Sequence, residues 1–404
     1  MVKALVLGGC GAVGSIAVKA LSNFHDFSII TIGDINETEG INLVHSDTTG
    51  KLKFQKVDVN SIVALKQLIS SHDIIINCLG PFYKYGPSIL KTVINLRKKY
   101  IDINDDVDAT REALELDEIA KEAQITAIIG MGSSPGVTNL LAKFAEQLLD
   151  SIIAIDIYHA HGGEPKEGPG VIFHRIHAMT IKIPIFMNGE FKTVSFFSKE
   201  GRALEEIIDF GKIGKYRVHA YPHPETITLP KYIKGVKRVT NKGTVLPPEY
   251  FYLTTDLVRL GLTKKQPIKV KETEISPLDF TIAYLINERD KILRKINFGK
   301  QRGCIKIFVE GLKENKPHKI IFTLESESQA MGEGTGLPVA FGAIMLQRKL
   351  ITEHGVLPPE AVVNPIEFLN VMQEYLNLDS ATGGPSPLTI ESVDSEGSIE
   401  MLKL

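Results

Sequence analysis

The stretch VKALVLGGCGAVGSIAVKAL, residues 2–21, restricts the fold of this chain more than any other. It contains a short apolar run, a glycine-rich turn and a helix-like segment, with Gly9, Gly11 and Gly14 spaced as G-x-G-x-x-G. The glycines interrupt the apolar run, which argues against a signal-peptide core. In such a motif the glycines permit a tight turn and a close approach of a pyrophosphate, which the helix N-terminus then faces. The pattern predicts a dinucleotide-binding turn, and a strand–helix turn that binds no ligand is the alternative.

An acidic residue follows at the distance that this motif requires. Asp34 lies 20 positions after Gly14 and ends the second apolar run, FSIITIGD. Its carboxylate would accept hydrogen bonds from both ribose hydroxyls and repel a 2′-phosphate, so NAD is expected and NADP is possible. A solvated carboxylate at a strand end is the other interpretation. Asp58, at the end of the third strand, is expected either to reach the adenine amine or to cap a helix.

The succession of strand and helix signals predicts an α/β fold of two domains. Strands and helices first alternate, as in a doubly wound parallel sheet. Strand-like segments then follow, including SIIAIDIYHAHGG and VIFHRIHAMTIKIPIF, whereas EGRALEEIIDFG, TGLPVAFGAIMLQRKLI and GVLPPEAVVNPIEFLNVMQEYL have a helical pattern.

The predicted domain boundaries follow from these patterns. A Rossmann-type NAD-binding domain is expected from residues 1–134 plus 331–378. Residues 135–330 are expected to form an inserted second α/β domain, with a mixed or antiparallel sheet, for substrate binding and dimerisation. Residues 379–404 are expected to be a loosely held tail in which PLTIESV can add an edge strand.

Composition excludes several functional classes. The 404 residues carry a formal net charge of −2 and no basic block, so nucleic acid is not an expected partner. No apolar run approaches the ~20 residues that span a bilayer, so a membrane is not expected either. The cysteines, Cys10, Cys78 and Cys304, are odd in number and widely spaced, which argues against a disulfide framework or a zinc site. The cytoplasm is the expected location.

Several short motifs occur in a fixed order and cover most of the chain. They are GGCGAVGS, KVDVNS, DIIINCLGPFYKYG, YIDINDD, GSSPGVTNLLAK, GTGLPVAFGAIMLQRKLI and HGVLPPEA. Together they resemble the saccharopine dehydrogenase-like oxidoreductases, which include saccharopine reductases, lysine dehydrogenases and carboxynorspermidine dehydrogenases. The resemblance implies a split Rossmann domain, an inserted substrate domain with a mixed sheet, and a homodimer.

The end of the fourth strand is expected to lie beside the nicotinamide. In NCLGPF, Gly80 allows a close approach of the backbone, and Pro81 and Phe82 are placed to wall the nicotinamide ring. Cys78 has no partner in the sequence, so it is interpreted as a small buried residue rather than as a nucleophile.

Carboxylates cluster after the fifth strand, in YIDINDD. Asp102 and Asp105 are the candidates for proton transfer or for binding an amino group, and Asp102 is the stronger one. Its side chain is expected at the open sheet edge, on the same side as Tyr100. Asp106 or Asp108 is expected to cap the following helix.

Two further segments are candidates for substrate binding. In GSSPGVTN, backbone N–H groups near Ser134 and Gly136 are placed to hold a substrate carboxylate, and a plain capped helix is the alternative. His174 and Arg175 are placed in the second domain, where Arg175 is suited to a substrate carboxylate. His159 and His161 share one face of a strand, but no third ligand is evident and no metal is expected.

These observations predict an NAD(P)-dependent oxidoreductase that transfers a hydride at a C–N bond of an amino acid or an amino-acid-derived secondary amine. The alternatives are reduction of a carbonyl or C=C bond and a non-catalytic NAD-sensing role. The predicted cofactor residues are Gly9, Gly11, Ala12, Val13, Gly14, Asp34, Asp58, Val59, Cys78, Gly80 and Pro81. The predicted substrate residues are Phe82, Tyr83, Ser134, Gly136, His174 and Arg175.

Overall fold

A computed structural model describes residues 2–163, 168–326, 332–378 and 388–402 of the chain. The chain divides into two compact units. Unit 1 comprises Met1–Gln147, Lys231–Ile233 and Met331–Ser386. Unit 2 comprises Leu148–Pro230, Lys234–Ala330 and Pro387–Leu404.

The first 147 residues alternate strands with helices. The strands are β1 (Lys3–Leu7), β2 (Ile29–Asp34), β3 (Leu52–Lys56), β4 (Ile74–Asn77), β5 (Lys99–Asp102) and β6 (Thr126–Ile128). The helices are α1 (Gly14–Asn23), α2 (Glu37–His45), α3 (Ile62–Ser70), α4 (Phe82–Asn95), α5 (Val107–Leu114), α6 (Asp117–Glu122) and α7 (Val137–Phe144). A short 3₁₀ turn at Ala145–Gln147 ends this part of the chain.

The middle of the chain is richer in strands. They are β7 (Ser151–Gly162), β8 (Lys182–Met187), β9 (Glu190–Ser195), β10 (Glu206–Asp209), β11 (Lys215–Ala220), β12 (Arg238–Leu246), β13 (Ile268–Val270), β14 (Thr273–Ile275), β15 (Arg302–Lys313) and β16 (Lys316–Ser326). The helices are α8 (Pro169–Thr180), α9 (Lys199–Arg202), α10 (Glu225–Tyr232), α11 (Pro248–Arg259) and α12 (Pro277–Lys295), with a 3₁₀ turn at Gly211–Ile213.

The last part of the chain contributes to both units. Unit 1 receives α13 (Gly332–Gln347), β17 (Gly355–Leu357), α14 (Pro359–Val362) and α15 (Pro365–Leu378). Unit 2 receives β18 (Leu388–Val393) and β19 (Ile399–Leu402).

The sheet of unit 1 is parallel throughout, in the order β17-β6-β5-β4-β1-β2-β3. This order reverses direction between β1 and β4, and open sheets of this kind bind ligands outside the carboxyl ends of the strands at that point. Both faces of the sheet are covered by apolar side chains, so the strands are continuous apolar runs rather than alternating ones.

Helices α13 and α15 cover one face of this sheet. Val339, Phe341 and Phe368 belong to the same buried cluster as β1 residues such as Val6. Gly336 allows α13 to approach α1, because a Cβ atom at this position would lie 2.7 Å from the Val13 carbonyl oxygen. The C-terminal helices therefore complete the domain that the N-terminal strands begin.

The sheet of unit 2 is mixed. Its main path is β10-β11-β12-β7-β15-β16-β18-β19, and the β8–β9 hairpin joins it through β12. The β7–β12 pair is parallel, whereas the other pairs of this sheet are antiparallel. Helices α8, α11 and α12 pack together on an apolar cluster that includes Ile172, Tyr250 and Leu285. The predicted fold class, a Rossmann-type sheet with a second α/β domain, is confirmed.

Four local predictions differ from the structure. The first half of VIFHRIHAMTIKIPIF lies in helix α8, because Pro169 opens a helix and the apolar residues Ile172, Ile176 and Met179 then share one face. Most of EGRALEEIIDFG is not helical, because α9 ends at Arg202 and the chain continues as strand β10. The segment that begins GVLPPEA starts with a strand, β17, rather than with a helix, and β17 pairs with β6.

The fourth difference concerns the predicted tail. Residues 388–402 form β18 and β19, which extend the unit 2 sheet beyond β16, so this part of the chain is ordered by backbone hydrogen bonds. Residues 379–387 and 403–404 lie outside the described residues. Among the helices that the structure describes, none has the length and apolar character needed to cross a membrane.

Candidate functional site

The glycine-rich turn joins β1 to α1 at the carboxyl edge of the unit 1 sheet. A Cβ atom at Gly14 would overlap the carbonyl oxygen of Gly8, so only glycine fits there. At Gly11 the single near neighbour of such a Cβ atom would be the same oxygen, at 3.3 Å, and Gly11 and Ala12 are exposed. Helix α1 has no acidic residue in its first turn and no side-chain cap on Val13. Its N-terminus can therefore receive the phosphates of a dinucleotide.

The Asp34 carboxylate is held in place at the end of β2. One oxygen accepts a hydrogen bond from the Cys10 N–H at 3.0 Å, and the other accepts one from the Asn36 N–H at 3.0 Å. The bond from Cys10 connects the acidic residue directly to the glycine-rich turn. Burial, with Asp34 and Glu39 nearby, raises the pKa of the Cys10 thiol to about 12, so this cysteine stays protonated and unreactive.

Asp58 shapes the turn after β3. One of its carboxylate oxygens accepts hydrogen bonds from the Asn60 backbone N–H at 2.9 Å and from the Asn60 side chain at 2.8 Å. Helix α3 begins at Ile62, after Ser61, so Asp58 does not occupy the capping position of that helix. The side chain of Asp58 is exposed and that of Val59 is half-buried.

The segment after β4 provides an open stretch of backbone. Gly80 is exposed, and no atom lies within 4 Å of a Cβ atom placed on it. Pro81 follows and precedes helix α4, which begins at Phe82. Burial, and to a lesser extent Asp102, raises the pKa of the Cys78 thiol to about 12, which makes Cys78 a poor nucleophile.

Asp102 lies at the centre of a buried hydrogen-bond network. One carboxylate oxygen accepts from the backbone N–H groups of Gly130 at 2.7 Å and Asn104 at 3.0 Å. The other accepts from the Tyr100 hydroxyl at 2.8 Å, and that hydroxyl accepts from the Asn77 side-chain amide at 3.0 Å. Because Asn77 and Asp102 are register partners on adjacent parallel strands, their side chains lie on the same side of the sheet. The network therefore connects the segments that follow β4, β5 and β6.

This environment differs from the one predicted for Asp102. Tyr100 is on the same side, as expected, but Asp102 is only 3% exposed rather than open at the sheet edge. Burial raises the pKa of Asp102 to about 6, although the hydrogen bonds from Gly130, Asn104 and Tyr100 act in the opposite direction. A carboxylate with these contacts is suited to holding the surrounding segments in position.

Two other acidic residues follow Asp102. Asp105 is half-buried between Asn104, whose N–H binds Asp102, and Asp106, whose N–H binds the Asn104 side chain at 3.0 Å. Asp106 is buried, and its carboxylate accepts from the Tyr83 N–H at 3.0 Å, in the first turn of α4. Burial and Asp106 raise the pKa of Tyr83 to about 12. Phe82, predicted to face a ligand, is instead buried.

The loop before α7 is closed by its own hydrogen bonds. The Gly132 N–H donates to the Pro135 carbonyl at 2.8 Å, and the Gly136 N–H donates to the Asn139 side chain at 2.9 Å. Asn139 in turn donates to the buried carboxylate of Glu360 at 2.8 Å. Gly136 thus uses its N–H within the loop, whereas Ser134 is half-buried. Nothing in the sequence pattern singled out Glu360.

Unit 2 contains a cluster of polar rings, which we call the ring cluster: His159, His161, His174, Tyr221 and His223. The ring centroids of His159 lie 6.0 Å from His161, 5.2 Å from Tyr221 and 5.6 Å from His223. His174, on α8, lies 6.4 Å from Tyr221. Sequence analysis identified His174 and the shared strand face of His159 and His161. It missed Tyr221 and His223, which follow β11 at a distant position in the sequence.

Arg175, the neighbour of His174 on α8, is buried. It is 2% exposed, and its guanidinium lies 5.3 Å from the ring centroid of Tyr250 on α11. A positive charge over an aromatic face gains favourable electrostatic energy, more so where water is excluded. Arg175 therefore packs against α11 in the interior of unit 2.

A parallel sheet with the strand order of a Rossmann fold, a glycine-rich turn and a fixed acidic residue at the end of β2 define a dinucleotide-binding protein. Residues 4–128 match the family described as Saccharopine dehydrogenase NADP binding domain, and residues 132–378 match the Saccharopine dehydrogenase C-terminal domain. The chain belongs to the saccharopine dehydrogenase family. The predicted family and the enzyme class, a dehydrogenase that uses a nicotinamide dinucleotide, are confirmed.

Individual relatives resemble the chain over nearly its whole length. It is 26% identical to a carboxynorspermidine synthase of Vibrio cholerae serotype O1, over 90% of this chain and 93% of the relative. It is 23% identical to a carboxyaminopropylagmatine dehydrogenase of Synechocystis sp., over 96% and 99%. Its fold resembles that of an apo saccharopine dehydrogenase (L-Glu forming) from Saccharomyces cerevisiae, with a TM-score of 0.68, 16% identity and coverage of 97% and 100%.

Proposed function

We propose that this chain catalyses the NAD-dependent, reversible oxidation of a secondary amine that carries a carboxylate, of the kind formed from an amino acid or a polyamine. The observation that carries this proposal is the match to both saccharopine dehydrogenase domains, joined to an Asp34 carboxylate fixed against the glycine-rich turn. The names of the relatives support the substrate class, because each describes a carboxylated amine.

The preference for NAD follows from the charges around the end of β2. The Asp34 carboxylate is held by two backbone N–H groups, so it cannot easily turn away from a ribose 2′-phosphate. Glu37 and Glu39 follow in the first turn of α2. Lys56, a cation close to them, is paired with Glu37 at 3.1 Å. A 2′-phosphate would meet these negative charges, whereas the ribose hydroxyls of NAD would donate to Asp34.

Titration of the chain with NADH and NADPH, followed by cofactor fluorescence, tests this preference. We expect NADH to bind at least about tenfold more tightly, a difference of ~1.4 kcal/mol. Asp34→Ser should narrow the difference, and Asp73→Ser, an exposed aspartate at the opposite ends of the strands, is the matched control. Equal affinities for the wild-type chain would contradict the assignment of Asp34.

Residues at the carboxyl edge of the unit 1 sheet are suited to different parts of the reaction. When bound, the dinucleotide supplies the hydride acceptor. Asp105 is half-buried between two residues fixed by hydrogen bonds, which suits it to take the amine proton or to hold an ammonium group. Asp102 holds the segments around it, and the open backbone at Gly80 leaves space for the nicotinamide. In unit 2, His174 and Arg175 are assigned to the substrate.

An absorbance screen at 340 nm tests the activity itself. Amino acids and polyamines, each paired with small aldehydes or oxo acids, are supplied with NADH in the reductive direction. Asp105→Asn should lower turnover by about 10² to 10⁴ while NADH affinity is unchanged, because the amide cannot accept a proton. Asp108→Asn, a half-buried neighbour in the first turn of α5, is the control. A fully active Asp105→Asn enzyme would transfer the proton role to another group.

A homodimer and a cytoplasmic location are further parts of this proposal. The three cysteines are free thiols, which agrees with a reducing compartment. Light scattering of the purified chain measures its mass in solution and tests the dimer.

A further inference from the structure

A chain of hydrogen bonds connects the backbone after β4 with the buried Asp102 carboxylate. The Leu79 N–H donates to the Asn77 side-chain oxygen at 3.1 Å, and the Asn77 amide nitrogen donates to the Tyr100 hydroxyl at 3.0 Å. That hydroxyl donates to Asp102 Oδ2 at 2.8 Å. Asn77 and Tyr100 are fully buried and Asp102 is 3% exposed, so these bonds are shielded from water.

The direction of each bond in this chain is fixed. A backbone N–H can only donate, so Leu79 holds the Asn77 oxygen on its side and leaves the Asn77 amide nitrogen as the donor to Tyr100. The Tyr100 oxygen therefore accepts from Asn77, and its proton points to Asp102. Asp102 Oδ1 is already occupied by two backbone N–H groups, so Oδ2 is the oxygen to which a proton can add.

Protonation of Asp102 would leave one donor of this chain without an acceptor. Asp102 Oδ2–H would donate to the Tyr100 oxygen, so the Tyr100 proton would need a different acceptor. The Asn77 oxygen becomes available if the amide turns over, but the amide nitrogen would then face the Leu79 N–H and break the bond between them. Because an unsatisfied buried donor is costly, the backbone that follows Asn77 is sensitive to the proton on Asp102.

The ionisable groups next to Asp102 leave it as the group that titrates. Burial raises the pKa of Asp102 to about 6, and the Asp105 carboxylate acts in the same direction. Burial also raises the pKa of the Cys78 thiol to about 12 and that of the Tyr100 hydroxyl well above its usual value, so both stay protonated. Asp102 is therefore the group in this chain of bonds that gains or loses a proton near pH 6.

Helices α4 and α5 pack on the same side of the sheet as Tyr100. They do so through an apolar cluster, with Tyr85 of α4 at its border. The Asp106 carboxylate, just before α5, accepts from the Tyr83 N–H of α4 at 3.0 Å. Asp108 and Arg111 of α5 are paired with each other at 3.9 Å near the surface. The acidic groups of these elements thus have partners of their own.

The backbone that this chain of bonds holds lies beside the glycine-rich turn. A Cβ atom placed on Gly8 would lie 2.9 Å from the Cys78 carbonyl oxygen and 3.0 Å from the Leu79 Cα atom. Gly80 follows with an exposed, open backbone. The strand order reverses between β1 and β4, where sheets of this kind bind their ligands. A change in residues 78–80 would therefore reach the surface that we assign to the nicotinamide.

We propose that Asn77 is a positioning residue that couples the backbone of residues 78–80, through Tyr100, to the charge of Asp102. With Asp102 ionised, the Leu79 N–H keeps its hydrogen bond and the Gly80 backbone is in place for the nicotinamide. With Asp102 protonated, this hydrogen bond is lost and binding of the nicotinamide weakens. The inference rests on the proposed function for the identity of the ligand and adds a pH dependence to its binding.

The Leu79 amide reports on this coupling without any ligand. The full chain is labelled with ¹⁵N-leucine, and the Leu79 resonance, assigned with a Leu79→Ile variant, is followed from pH 5 to pH 7.5. In the wild type it should move with a midpoint near pH 6. In Asp102→Asn, whose amide donates to Tyr100 as protonated Asp102 would, it should stay near its low-pH position. In Tyr100→Phe, which interrupts the chain of bonds, its pH dependence should be largely lost.

NADH and ADP-ribose, which lacks the nicotinamide, separate binding of the ring from binding of the rest of the cofactor. Each is titrated by calorimetry at pH 7.5 and pH 5.5. Over this range the ionised fraction of Asp102 should fall to about one quarter, so NADH affinity should fall about fourfold more than ADP-ribose affinity. This extra loss should be absent in Tyr100→Phe and Asp102→Asn. Asn364→Ala removes a similar bond from a side-chain oxygen to a backbone N–H, that of Ile366, and should behave as the wild type.

A Leu79 resonance that moves equally with pH in the wild type and in folded Tyr100→Phe and Asp102→Asn proteins would overturn the proposal. Equal losses of NADH and ADP-ribose affinity in the wild type would overturn it as well. A chain whose Leu79 amide follows the titration of Asp102 but which binds neither ligand would retain the positioning role of Asn77 and would contradict the proposed function.

Discussion

The buried Asp102 carboxylate gives a quantitative prediction about stability and pH. Asp102→Asn keeps the size of the side chain and an oxygen able to accept from the Gly130 and Asn104 N–H groups. The new amide nitrogen replaces the oxygen that accepts from the Tyr100 hydroxyl. That hydroxyl already accepts from Asn77, so its own O–H loses its acceptor. An unsatisfied buried donor costs about 1–3 kcal/mol at every pH.

The charge of Asp102 acts in the opposite direction and depends on pH. Its pKa is raised from 3.8 to about 6 in the folded chain, so the unfolded chain gives up the proton first. Protonated Asp102 favours the folded chain over the charged form. This contribution to the free energy of unfolding is fully present below pH 3.8 and is lost as pH rises through about 6. The whole loss is about 3 kcal/mol. About 2 kcal/mol of it falls between pH 4.5 and pH 7.5.

Asparagine cannot ionise, so Asp102→Asn removes this pH dependence. Below pH 3.8 the variant should be less stable than the wild type by about 1–3 kcal/mol, the cost of the unsatisfied hydroxyl. About 1 kcal/mol of this deficit should be gone at pH 4.5, and it should shrink by about 2 kcal/mol more between pH 4.5 and pH 7.5, because only the wild type then carries a buried charge.

Urea unfolding curves at several pH values, followed by circular dichroism and by tyrosine fluorescence, measure the difference wherever the two signals coincide. Asp58→Asn is the control for the loss of a carboxylate as such, because Asp58 is exposed and its side chain bonds to Asn60 rather than to the network around Asp102. Parallel stability curves for the wild type and Asp102→Asn across this range would show that Asp102 does not titrate there, and the burial argument would be refuted.

Three further predictions concern the glycines and a second buried titratable group. Gly14→Ala should weaken NADH binding at least about tenfold in a fluorescence titration and should also lower the free energy of unfolding by ~1–3 kcal/mol. Gly11→Ala, in contrast, should weaken NADH binding but preserve stability, because its Cβ atom meets only one oxygen, at 3.3 Å. In α13, Gly336→Ala should lower stability by ~1–3 kcal/mol, whereas Gly334→Ala, with its nearest atom at 3.7 Å, should be neutral or stabilising in thermal unfolding. Burial lowers the pKa of His72 from 6.5, so wild-type stability should fall below that pH, and His72→Gln should flatten this fall in unfolding curves.

The parts of unit 1 that could be predicted from the sequence are those whose causes are local. The glycine spacing identified the turn because Gly14 meets an oxygen six residues earlier in the same turn, and Asp34 was identified from its distance along the chain. Helix α8 was missed because its β-branched and aromatic residues favour a strand locally. The helix is instead decided by Pro169 and by packing of one apolar face, which depends on distant residues.

For the candidate site too, the sequence predicted what local residues decide and missed what distant residues decide, and Asp102 is an example. The sequence predicted its position at the end of a buried strand and its place on the same side as Tyr100, two residues earlier. Its burial was not, because Gly130 and Asn77 complete its hydrogen bonds from two other segments of the chain. A carboxylate at a sheet edge is an acid or base when it is open to a ligand and a structural anchor when backbone N–H groups surround it. Which of these it becomes depends on contacts that only the folded chain brings together, and this is why we propose Asp105 rather than Asp102 for the proton role.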